Sequence, residues 1–375
     1  MKIKIATAGL MFLLLTGEYV NAGKPGPSTP PPTSKPTVKY SIEMTQDGPV
    51  SATNLDGVSL GSNRGEPYLG QLNGARLYLN DIISPEYHLT SAWSLNDGFD
   101  GVYQIAGKGT KLIDGAWINI GYRLSIIPDG EAVIDIIEPT LNLHQVEVWG
   151  PGCITQDGRV VATRSGSGLS TEVVVLSGTP GAGVVETVLS GPYPGWACIN
   201  LFGQIGGWTR LANGDVVAYR YTPGEPLRTY GPLATWKGQS SSKSQIRAIN
   251  DSGLCVGEAL ALKSGSSELR HAAAFSDMTQ DLGTVSGTSW STAACVNNYG
   301  TVAGICGGTL SSGDGFVSEG SYLYWLKDVL AASLPTNVES LKPRHINDSG
   351  VISGIVSFND GSLSGGFVMT PIPNP

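Results

Sequence analysis

The sequence predicts an all-β fold, a seven-bladed β-propeller whose N-terminal strand completes the last blade. Three observations carry this reading. Gly contributes 51 and Pro 23 of the 375 residues, with Gly alone at about twice its usual share of roughly 7%, so long helices are excluded. One phrase of small residue, aliphatic, Asn, two variable residues and Gly, followed by an alternating apolar strand, recurs seven times along the chain. The last copy stops one strand short. The spacing also admits six or eight blades.

Residues 1–22 come first and read as a secretory signal peptide. Lys2 and Lys4 precede an apolar run from Ile5 to Leu15, and Val20-Asn21-Ala22 offers small side chains at a cleavage site. The run is shorter than the about 20 residues a bilayer-spanning helix needs. Residues 23–37 contain Pro30, Pro31 and Pro32 among Ser, Thr and Lys. Such a segment favours extended polyproline II and acts as a linker. Residues 38–375 remain for the propeller, and the expected location is secreted or periplasmic.

The clearest copy of the phrase is Ala248-Ile249-Asn250-Asp251-Ser252-Gly253, and His345-Ile346-Asn347-Asp348-Ser349-Gly350 nearly duplicates it. Asn297, Asn200 and Asn54 hold the same slot in three more copies. Gln156 is assigned to it in a fourth, and a degraded copy begins at Ser94. The 293 residues from Gly57 to Gly350 divide into six steps of about 49, close to the roughly 40–50 of a four-stranded blade. Asn accepts from backbone ahead of it and Gly takes the left-handed conformation, so each copy is a β-hairpin turn.

Arg270 to Phe275 and Asp281 to Val285 supply two further strands to the unit that opens at Ala248. After the last hairpin only Gly366 to Met369 follows, so Lys39 to Met44 is expected to close the ring and remove an exposed edge. The step from Gly98 to Gly158 is long and contains a turn at Asp129-Gly130, so an insertion or an eighth blade belongs there. Leu326, Val329, Leu330 and Leu334 have helical spacing and predict one short surface helix.

In these phrases the chain resembles the extracellular HAF-repeat family. That family is named for a His-Ala-Phe stretch, and its units combine an Ile-Asn-x-x-Gly-x-Val-x-Gly core with an Asp-Leu-Gly-Thr-Leu-like strand. The resemblance is tight in residues 248–306 and 345–369 and loose elsewhere. His271 and Phe275 match the naming stretch with two extra alanines between them. The resemblance implies a secreted bacterial repeat protein with a propeller-like fold and brings no catalytic residues with it.

The formal charge of −8, from 23 basic and 31 acidic residues, argues against nucleic acid as a partner, because phosphate binding needs clustered Lys and Arg. Charged residues make up 14% of the chain and hydrophobic ones 41%, which favours carbohydrate or protein ligands over ionic ones; a monomer is expected. The candidate ligand-binding side chains are loop aromatics, Trp149, Tyr193, Trp196, Tyr230 and Trp290, which can stack on sugar rings or anchor a partner. Packing between blades is the competing role for each. No metal motif is present; Asp97-Gly98-Phe99-Asp100-Gly101 is an acidic loop in which Ca²⁺ is conceivable, but it lacks the ligand series of an EF-hand and reads first as a turn.

Export permits disulfides, and Cys153 with Cys198 are the pair that could bridge neighbouring inner strands; burial as small apolar side chains is the alternative. His345 stands in a slot that elsewhere holds Ala or Cys, which points to packing. The sequence thus predicts a noncatalytic binding or cell-surface interaction module. Its rival is a polysaccharide-degrading propeller, glycosidase or lyase, using two carboxylates in the axial pocket.

Overall fold

Each repeated phrase forms the turn between the innermost and second strands of one sheet. Asn250 shows how: its N–H and side-chain oxygen pair with the strand beyond, Asn250 N donating to Leu254 O at 3.1 Å and Leu254 N to Asn250 Oδ1 at 2.9 Å. Gly253 closes the turn at φ +80°, a left-handed conformation that costs Gly nothing. These turns belong to a computed structural model that describes residues 35–373 apart from 73, 99–100, 128–130, 141–144, 149, 151, 167–169, 193–196, 234–243, 265–266, 308–312 and 360–363. The leader, most of the linker, the Asp129-Gly130 turn and the aromatics Trp149, Tyr193 and Trp196 lie outside the described residues.

The described residues build seven four-stranded antiparallel sheets arranged in a ring, a seven-bladed propeller. Blades 1 to 6 take residues 50–78, 87–137, 145–192, 197–230, 244–283 and 290–325. Blade 7 combines residues 338–372 with the strand Lys39–Thr45. That N-terminal strand pairs antiparallel with Gly365–Ile372 along its whole length, from Lys39 opposite Ile372 to Thr45 opposite Gly366. The long step in the second unit is taken up by blade 2 itself, whose strands Tyr103–Ile113 and Ala116–Ile126 each run 11 residues. There is accordingly no eighth sheet among the described residues. Nor is any helix there long and apolar enough to cross a membrane.

The helix expected around Leu326 to Leu334 is replaced by a strand, Tyr322–Trp325, and a single 3-10 turn, Leu326–Val329. Its apolar spacing is real, because Leu326, Val329 and Leu330 are buried with Tyr40. Helical winding ends where Leu330 turns extended and Ala331 N donates to Tyr40 O at 2.9 Å. The N-terminal strand thus captures backbone that a helix would have used for itself.

The second glycine of the phrase has a packing role. A Cβ at Gly304 would run into the Thr292 carbonyl of the inner strand and the Phe316 ring of the third; Gly107 meets Ser91 O and the Tyr122 ring in the same way. The aromatics Tyr68, Tyr122, Phe316 and Phe367 lie over these glycines and fill the spaces between blades. Where the inner carbonyl presses on the glycine, at Gly107, Gly257, Gly304 and Gly354, the inner strand bulges, between Ala92 and Ser94, Ile246 and Ala248, Ala293 and Cys295, and Pro343 and His345; blade 1 bulges between Val50 and Ala52. A bulge re-aims its extra residue, and this matters for the axis described below.

Blades 2 and 3 carry one buried ion pair. Arg123 donates to Asp135 at 2.7 Å and, at 2.9 Å, to the carbonyls of Gly158 and Gly178, while Gly183 N donates to Asp135 at 3.0 Å. The neighbouring backbone groups that engage both side chains offset the desolvation penalty of the buried charges.

Candidate axial site

Counting back from the phrase Asn, the inner strands stack their side chains in layers along the propeller axis. The outermost layer is the residue after the Asn, namely Leu55, Asp97, Gln156, Leu201, Asp251, Asn298 and Asp348. Its polar members reach to the preceding blade: Leu55 N donates to Asp97 at 2.7 Å, Asp97 N to Gln156 at 2.9 Å, Leu201 N to Asp251 at 2.9 Å, Asp251 N to Asn298 at 2.8 Å and Asn298 N to Asp348 at 2.8 Å. The Asn298 amide also donates to both Asp251 and Asp348 at 2.9 Å.

The phrase Asn side chains form the next layer. Asn200 donates to Asn250 O at 3.0 Å, Asn250 to Asn297 O at 2.9 Å, Asn297 to Asn347 O at 3.2 Å and Asn347 to Asn54 O at 3.0 Å. One side chain therefore shapes its own turn and ties its blade to the next. Blade 3 departs from the sequence assignment: Thr155, not Gln156, occupies the Asn slot, since Arg159 N donates to Thr155 Oγ1 at 2.9 Å and Gly158 N to Thr155 O at 3.0 Å. A hydroxyl reproduces the turn contact of the amide but has no second arm for the neighbouring blade.

Beneath the Asn layer, Leu95, Ile154, Ile199, Ile249, Val296 and Ile346 form an apolar collar. Together with the two polar layers they enclose an axial pocket of about 120 Å³. Burial pushes the Asp97 carboxyl above the ordinary carboxylate value, with Asp348 and Asp56 adding repulsion against the hydrogen bonds from Leu55 and Gln156. His345 also lines this pocket. Desolvation lowers its imidazole to about 4, against an opposing pull from Asp348, so it is neutral near pH 7.

The turns that bear this outermost layer also expose Phe202 and Tyr299 at 68% and 82%. Tyr299 also borders a second depression of about 250 Å³ with Tyr40, Thr301, Glu319 and Tyr324. Neither aromatic was singled out by sequence, although both sit in the second variable turn position, which the hairpin geometry leaves in solvent.

Of the sequence-predicted aromatics, Tyr230 and Trp290 are only 1% and 6% exposed and do not form a ligand surface. Tyr230 packs on Phe275 with ring centroids 5.4 Å apart, and its hydroxyl donates to Ser276 O; both rings belong to contacts between or within blades. Cys153 and Cys198 are buried free thiols, as are Cys255, Cys295 and Cys306. Cys198 directs its sulfur to Gly206 O at 3.4 Å in its own blade, away from the neighbouring inner strand. Among the described residues no group of three or more His, Cys, Asp or Glu is placed to hold a metal; Phe99 and Asp100 of the acidic loop lie outside them.

No protein-family model matches the sequence, and no curated protein matches it. Among solved structures the chain is similar to an acylaminoacyl peptidase of Pyrococcus horikoshii, with 12% identity and a TM-score of 0.48, covering 90% of this chain and 52% of that one. It is similar to the sialidase of Trypanosoma rangeli at 8% identity and TM-score 0.40, covering 88% and 55%. A lectin of Aleuria aurantia, solved with α-methyl-L-fucoside, gives 12% identity and TM-score 0.34, covering 90% and 95%. The chain spans about half the length of the peptidase and sialidase chains.

Proposed function

We propose that the protein is an exported binding module that holds a neutral, hydroxyl-rich ligand, a carbohydrate, on the face where the seven turns meet. The observation that carries this reading is that the turns bearing the recessed ring of Asp97, Asp251, Asn298 and Asp348 also expose Phe202 and Tyr299 to solvent. Carboxylate oxygens accept from sugar hydroxyls and aromatic faces cover apolar ring faces; few, placed polar groups within a concave site give orientation. The lysine-flanked apolar leader supports export, and the Asn-x-x-Gly phrases support membership of the HAF-repeat family.

A glycan array probed with the purified chain tests the reading. Binding that F202A and Y299A each weaken at least fivefold supports it; binding unaffected by both overturns it. A second reading, a glycoside-cleaving propeller, draws on one observation: the raised carboxyl of Asp97 with Asp348 among its charged neighbours, the kind of unequal pair that can divide acid and base roles. Reducing-sugar release that D97N and D348N both abolish would favour it over binding alone.

A further inference from the structure

In five blades a bulge on the inner strand re-aims one residue at the axial position three before the phrase Asn, on the far side of the apolar collar. This layer is three residues before the phrase Asn and consists of Ser51, Trp93, Gly152, Ala197, Arg247, Ala294 and Arg344. Its direction follows from contacts that skip blades. Arg344 of blade 7 places its Cζ 5.9 Å from the centroid of the Trp93 ring in blade 2, with blade 1 between them. Arg344 also feels the charge of Arg247 in blade 5, with blade 6 between. Side chains from non-adjacent blades meet only in the central channel. Four of the seven positions carry small side chains or none, so Trp93 and the two arginines are the bulky members of the layer.

Arg247 lies 3.5 Å from Glu258, and Arg270 lies 3.2 Å from that same carboxylate. Arg344 is exposed to solvent and has no acidic partner among the described residues. Desolvation, and then the charge of Arg247, hold its guanidinium below the ordinary arginine value. Two like charges facing one recessed space repel, and an anion between them removes the repulsion. A guanidinium fork matches a carboxylate in two parallel hydrogen bonds, and the Trp93 indole supplies an apolar wall beside the charge.

We infer that this end of the channel is a second ligand site, separate from the turn face, which takes a carboxylated sugar with its acid group between Arg247 and Arg344 and its ring against Trp93. An acidic peptide side chain offers the same charge but no ring for the indole. Titration calorimetry of the full chain with trigalacturonate, and with its methyl-esterified form, tests the assignment. The expected result is binding that weakens with added salt, is lost on esterification, and falls about tenfold or more in R344Q and in W93A, as removal of one charge-assisted contact implies. F202A and Y299A are expected to leave it unchanged, so failure here is distinguishable from failure of the turn-face reading. Absence of trigalacturonate binding overturns the inference, as do equal affinity for the methyl ester, for a triglutamate peptide or for a sulfated neutral trisaccharide, and an unchanged affinity in R344Q. Because Arg344 is solvent-exposed, R344Q is expected to fold normally, and R344K, retaining charge without the fork, is expected to fall between R344Q and the parent.

Discussion

At the scale of single residues, the phrase Asn has two tasks in one side chain, and its replacement has a calculable cost. Asn250→Ala removes the part-buried bond from Leu254 N and the buried bond to Asn297 O. Loss of stability by about 2–4 kcal/mol is expected at about 1–2 per bond, measurable as a lowered midpoint in urea. His345 gives a pH signature. Its folded value, about 4, lies below the ordinary 6.5, so between those values the unfolded chain binds the extra proton. The contribution is complete above pH 6.5 and is lost as pH falls toward 4, amounting to at most about 3 kcal/mol. Replacing His345 with Cys, the residue of that slot in three other blades, is expected to flatten the stability profile across that window. Asp97, whose carboxyl is raised, has the opposite sign: its contribution grows as pH falls. The Asn and Gly of each turn were legible in sequence because few side chains satisfy those backbone demands. Thr155 was not, because a hydroxyl imitates one half of the amide's role and the neighbouring Gln156 carries the amide that resembles Asn.

At the scale of elements, strands were legible wherever a hairpin turn bounded them, and the closing strand was legible because the last repeat lacked one. The 3-10 turn after Trp325 was misread as a helix because apolar spacing reports which side chains are buried, and Tyr40, 286 residues upstream of Leu326, decides the backbone's partner. The channel arginines had no signal of their own. A bulge residue looks like any polar residue in a strand, and strict alternation would place it between blades. The closing strand carries its own prediction. A chain lacking residues 1–45 leaves the edge of Gly365–Ile372 unpaired along seven residue pairs. Such an edge recruits another chain, so size-exclusion chromatography is expected to show dimers or larger species and a lower melting temperature. A monomer that melts like the full chain would refute the closure.

For the whole molecule, the ring distributes its core into the spaces between blades, so apolar side chains from neighbouring units share each cluster. The five cysteines belong to that distributed core. Burial pushes the thiols of Cys153, Cys255 and Cys295 up to about 12 and that of Cys306 to about 11, which keeps them protonated and inert near neutrality. A colorimetric thiol assay is expected to detect almost none in the native protein and all five after denaturation without reductant; three after denaturation would mean that one disulfide had formed.

The apolar collar of Leu95, Ile154, Ile199, Ile249, Val296 and Ile346 divides the axis into a carboxylate-rimmed vestibule and an arginine-lined one. With opposite charges at its two ends, one axis can present two surfaces that evolve opposite tastes in ligand charge.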